Sequence, residues 1–147
     1  MMKTIKILAM TLLLGFYAAA CSGGDKVITV NELPAAAQTF IGKYFGAKKV
    51  MLVKKDKEGV KTYYDVLMAD GTKLEFDKKG EWRDIETKSE GVPATLVPTE
   101  ISSYVSKNYP GQRILQIDRD RSGFQIELSN GLDLEFNKKF QLVEIDD

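Results

Sequence analysis

Leu74-Glu75-Phe76-Asp77-Lys78-Lys79 returns almost unchanged as Leu134-Glu135-Phe136-Asn137-Lys138-Lys139. A six-residue near-identity reads as duplication, and further matches extend along the chain. At the same offset, Asp70-Gly71 matches Asn130-Gly131 and Ile85 matches Ile145. Nearer the start of each copy, Phe40-Ile41-Gly42-Lys43 aligns with Tyr104-Val105-Ser106-Lys107, Val50 with Ile114, and Gly59 with Gly123. Between the two blocks of matches the second copy is shorter, a difference assigned to a loop.

Each copy opens as a helix. Pro34 and Pro98 suit a first helical turn, which needs no backbone N–H. Ala37, Phe40, Ile41, Tyr44 and Phe45 fall on one helical stripe, as do Ile101, Tyr104 and Val105. Gly46 and Pro110-Gly111 end the two stretches. Strands are expected at 50–55, 63–68, 72–76 and 82–86, and again at 113–118, 124–128, 132–136 and 142–145. The charged run Lys54-Lys55-Asp56-Lys57-Glu58 is expected as a solvated hairpin tip. Asp70-Gly71 favours a turn that matches strand twist. Short turns make neighbouring strands antiparallel. The fold class is therefore α+β: two tandem α-β-β-β-β repeats with the helices packed on one face of an antiparallel sheet. The repeats occupy 32–87 and 96–147, with 88–95 as linker.

Alternation assigns the sheet faces. Tyr64, Val66, Met68, Leu74 and Phe76 point to the helix side, with Phe124, Ile126, Leu128, Leu134 and Phe136. The opposite face carries Tyr63, Asp65, Leu67, Lys73 and Glu75, then Gln125, Glu127, Asp133 and Glu135. It is polar and mixed in charge, as an uncovered sheet face should be.

The chain has 147 residues, with 21 basic and 21 acidic side chains. Residues 1–20 read as a signal peptide. Lys3 and Lys6 lead an apolar run from Ile7 to Tyr17, too short for a membrane span, and Ala18-Ala19-Ala20 precedes Cys21. Small residues before a cysteine resemble a bacterial lipobox, which makes Cys21 the expected lipid attachment point. Ala18 departs from it, since leucine is usual three residues before the cysteine. Residues 21–31, beginning Cys21-Ser22-Gly23-Gly24, read as a lipid-anchor tether. Simple cleavage near Ala20 is the alternative. Either way the protein is expected to be exported, to the periplasm or as an outer-membrane lipoprotein. Removing residues 1–20 leaves a slightly acidic chain, which gives no electrostatic basis for nucleic-acid binding.

There is no histidine and one cysteine. That removes Ser-His and Cys-His nucleophile pairs, the commonest metal ligand and any internal disulfide. No catalytic residue, metal site or cofactor is expected. Asp118/Asp120 and Asp146/Asp147 lack the glycine and terminal glutamate of a calcium loop.

Leu33-Pro34, Tyr63-Tyr64, Asp70-Gly71 and Leu74-Glu75-Phe76-Asp77-Lys78-Lys79-Gly80-Glu81-Trp82 together resemble the PepSY-like, β-lactamase-inhibitor-like family of exported bacterial proteins. The resemblance covers essentially the whole chain after residue 20. The second copy departs from it at Phe140, which replaces the turn glycine, and at Leu142, which replaces the tryptophan. The family implies a sheet with helices on one side and carries no chemistry of its own; an inhibitory activity would follow only by analogy of fold.

The functional reading is a non-enzymatic binding module that presents its open sheet face to a protein, peptide or envelope ligand. The candidate contact residues are Tyr63, Asp65, Leu67, Lys73, Glu75 and Trp82. Tyr63 and Leu67 place apolar surface among charges. Trp82 is an interface anchor by type, though its match to Leu142 favours packing. The alternatives are an inhibitor of a secreted or periplasmic hydrolase and an enzyme that uses carboxylates alone.

Overall fold

The computed structural model describes residues 24–147, so the export segment and Cys21 lie outside the described residues. The chain order is β1 (Lys26–Ile28), a 3-10 turn (Val30–Glu32), α1 (Ala35–Phe45), β2 (Val50–Glu58), β3 (Lys61–Met68), β4 (Lys73–Asp77) and β5 (Trp82–Glu86). A second 3-10 turn (Ala94–Leu96) then leads to α2 (Thr99–Asn108), β6 (Ile114–Arg119), β7 (Gly123–Leu128), β8 (Asp133–Asn137) and β9 (Leu142–Asp146). All nine strands form one sheet in chain order, each antiparallel to the next. The fold is α+β, with two helices on a single antiparallel sheet.

Both helices start directly after a proline, Pro34 (φ −51°) and Pro98 (φ −52°), whose ring presets the helical φ. Each helix buries one stripe: Ala37, Ile41 and Phe45 from α1, Ile101 and Val105 from α2. The receiving sheet face holds Val66, Leu74, Phe76, Ile85, Ile117, Ile126, Leu134 and Phe136, all essentially inaccessible. Phe76 takes the edge of Phe40 at 5.5 Å, and Phe136 takes the edge of Tyr104 at 5.4 Å. Each such buried aromatic contributes about 2–3 kcal/mol of apolar burial.

The two halves meet at β5 and β6, where Ile85 pairs with Ile117. The linker follows that seam, with the Thr87 and Val92 N–H groups donating to the carbonyls of Leu115 and Ile114.

Two expectations are corrected. Residues 26–28 belong to β1, not to a free tether; Ile28 lies opposite Val53. Three residues are too few for alternation to register, and main-chain pairing places them. Residues 54–58 are not a solvated tip but the end of β2, and the turn is Gly59-Val60, with Gly59 at φ 61°. Lys54 and Asp56 are buried there. The Lys54 ammonium lies 3.1 Å from the Asp25 carboxylate, which lets a charge run enter a strand.

Candidate functional site

The sheet face opposite the helices is covered by no element among the described residues. Because every strand is antiparallel to its neighbour, side chains at paired positions line up in rows across it. One row reads Lys54, Asp65, Glu75, Asp84, Asp118, Gln125, Glu135, Glu144. The next reads Leu52, Leu67, Lys73, Glu86, Gln116, Glu127, Asp133, Asp146. Carboxylates thus stand side by side from β3 to β9, with Lys54, Lys73 and Arg83 among them.

This density of acid has a cost that shows in their titration. Burial pushes Asp65 up to about 8, and the neighbouring Glu75 charge adds to it. Burial raises Glu75 to about 7 despite the opposing pull of Arg83, and Asp118 to about 6. Asp84, also buried, is held well above the carboxylate range although Gln116 donates to it at 2.8 Å. Asp56 rises to about 6 through burial and its contact with the Asp25 carboxyl. The common cause is desolvation by flanking side chains, compounded by like charges along the row. Glu86 Oε2 is shielded from solvent and has no hydrogen-bond partner among the described residues.

Of the residues expected from sequence, Tyr63, Asp65, Leu67, Lys73 and Glu75 all lie on this face. Arg83 joins them: its guanidinium sits 4.5 Å from the Tyr63 ring centre and 3.5 Å from Glu75 Oε1. Trp82 lies elsewhere. It pairs with Phe76 on the helix side, is 9% exposed, and has the Arg119 guanidinium stacked 3.8 Å from its ring. The β-bulge at that pair shifts the register, so Trp82 faces in while Arg83 faces out.

Sequence reasoning missed Asp84 and Glu86, and read Asp118 only with Asp120 as an acidic end, not as part of this face. The alternation around Ile85 and Ile117 would have placed all three on the open face. The adjacency of β5 and β6, which sets Asp84 opposite Asp118, needed the structure.

Asp120, beside them, caps its own turn, accepting from the Ser122 and Gly123 N–H groups. A shallow depression of about 20 Å³ lies between Asp118, Asp120, Gln125 and Glu135, room for about one water molecule. Among the described residues no three acids are grouped so as to hold a metal ion.

The family described as "Putative beta-lactamase-inhibitor-like, PepSY-like" matches residues 62–144. The chain belongs to this family. Three solved structures are similar to the chain over most of its length. A protein of Bacteroides vulgatus described as a "putative periplasmic protein from DUF2874 family" is 41% identical, with TM-score 0.83, covering 86% of this chain and 100% of its own. A "putative calcium-regulated periplasmic protein" of Bacteroides thetaiotaomicron is 40% identical, with TM-score 0.81, covering 84% of this chain and 97% of its own. A second B. vulgatus protein, described as of unknown function, is 42% identical, with TM-score 0.81, covering 84% of this chain and 100% of its own. No curated protein matches the chain. The family description names no enzymatic activity.

Proposed function

We propose that the chain is an exported, non-enzymatic binding module whose open sheet face takes a partner through cationic groups. The observation that carries this reading is the pair of carboxylate rows, half-buried at Asp65, Glu75 and Asp118 and buried at Asp84, on a face covered by no element among the described residues. A cation docked on Asp65, Glu75, Asp84 and Asp118 would replace the water these groups have lost. A donor reaching Glu86 would satisfy its orphaned oxygen. Tyr63 and Leu67 supply apolar contact beside the charges. Export is supported by relatives named periplasmic, and lipid attachment at Cys21 by the small residues before it. The matching helix-and-strand order of the two halves supports their origin by duplication.

Titration with an oligolysine at pH 6 and pH 8 tests the reading. Tighter binding at pH 8 with proton release is expected, because the ligand selects ionised carboxylates. The triple variant Asp65→Asn/Glu75→Gln/Asp118→Asn should lose at least tenfold in affinity. Equal binding by the variant would refute the assignment of this face.

A second reading is that calcium is one of the cations, favoured by the name of the relative from B. thetaiotaomicron. Calcium chloride should then raise the melting temperature, and a chelator should reverse the rise. The family description favours a secreted hydrolase as the protein partner. Inhibition assays against β-lactamases and proteases at micromolar concentration test that choice.

A further inference from the structure

The two halves end in equivalent strands that differ in one respect. Among the described residues β5 is paired on both sides, whereas β9 is paired only with β8. Ile85 of β5 is fully buried against Ile117, while its counterpart Ile145 is 47% exposed, and Val143 beside it is 49% exposed. The backbone register carries over as well. The Thr87 N–H donates to the Leu115 carbonyl, so Ile85, two residues earlier, also turns its backbone groups to β6. Ile145 occupies the same register against β8 as Ile85 does against β4. It therefore turns its N–H and C=O to the free edge. The opposite edge, β1, is only three residues long, which blunts it as a docking strand.

We infer that β9 is a docking edge for an extended polypeptide segment with alternating basic and apolar residues. Such a segment adds a tenth strand in the way β6 adds to β5. An apolar residue would lie opposite Ile145 and continue the helix-side row that runs from Val53 to Ile145. A basic residue would lie opposite Glu144 and close the first acidic row, as Lys54 does at its other end. The inference uses an edge that the open-face reading does not need, so each can fail alone.

The probe is the peptide acetyl-Lys-Val-Lys-Val-Lys-amide, followed by amide NMR of the protein. Binding should shift the Glu144, Ile145 and Asp146 amides and slow exchange of the Ile145 N–H. N-methylation of both valines, which deletes their strand N–H donors, should weaken binding at least tenfold. The acidic analogue with Glu for Lys should not bind. Glu144→Lys, at a half-buried position of the edge strand, should weaken the basic peptide, whereas Asp65→Asn should leave β9 binding unchanged. Equal binding of parent and N-methylated peptides would overturn the inference, as would shifts confined to β1 or the open face. Self-association of the protein alone with a protected Ile145 amide would overturn it in favour of a second copy as occupant.

Discussion

The half of the chain from Ala35 to Glu86 and the half from Thr99 to Asp146 build the same frame and use it differently. In each, a helical aromatic stands edge-on to a sheet phenylalanine at 81°. The frame therefore tolerates change wherever that contact is kept. The turn after β4 shows the difference most sharply. Gly80 (φ 84°) lies against the start of α1, where a Cβ would come within 2.8 Å of the Ala37 nitrogen. The equivalent position between β8 and β9 is Phe140 (φ 61°), which accepts left-handed strain and stacks on Phe124 at 5.6 Å. One half closes its turn by close backbone approach, the other by an aromatic clamp.

Substitutions can break that contrast. Gly80→Val should be among the most damaging, costing about 3 kcal/mol or more through left-handed strain and a clash with α1. Urea unfolding measures it; a loss under about 1 kcal/mol would mean that α1 does not pack on the turn. Phe76→Ala and Phe136→Ala should each cost about 3–5 kcal/mol and by similar amounts, since both halves depend on the same contact.

The acidic face gives the next effect. The folded-state pKa values of Asp65 (about 8) and Glu75 (about 7) lie above those of an unfolded chain. Between about pH 4 and pH 8 the native protein thus holds protons that the unfolded chain has released, and stability falls as pH rises. The melting temperature should be higher at pH 5 than at pH 8. Asp65→Asn should flatten that slope and gain on the order of 2 kcal/mol at pH 8. Arg119→Ala should cost about 1–2 kcal/mol, because it removes both the stack on Trp82 and a 2.7 Å hydrogen bond to the Trp82 carbonyl. The smallest effect belongs to Phe140→Gly, within about 1 kcal/mol of zero, because relief of strain offsets the lost stack.

Much of this was legible before the structure. Both helices and eight strands follow from apolar spacing and turn residues, and the sheet faces follow from alternation around Val66 and Ile126. β1 was not legible, because Lys26-Val27-Ile28 is too short to show a period and forms by pairing with β2. The end of β2 was misread, because Lys54 and Asp56 look like loop residues until Asp25 is placed beside them. At the site, Tyr63, Asp65, Leu67, Lys73 and Glu75 were read onto the open face from alternation alone. Trp82 was named for the face by residue type although its match to Leu142 favoured packing, and it lies on the helix side, turned there by a bulge. The β5–β6 seam brings Asp84 to Asp118 across a 27-residue connection, a pairing that alternation within either strand cannot reveal.

The central claim is that partners reach the open face and not the helix side. In-cell photocross-linking with benzoylphenylalanine tests it directly, with Leu67 on the open face and Lys43 on α1 as the two sites. The account predicts a discrete adduct from position 67 that disappears when Asp65→Asn/Glu75→Gln/Asp118→Asn is added, and none from position 43. An adduct from position 43 with none from position 67 would contradict it.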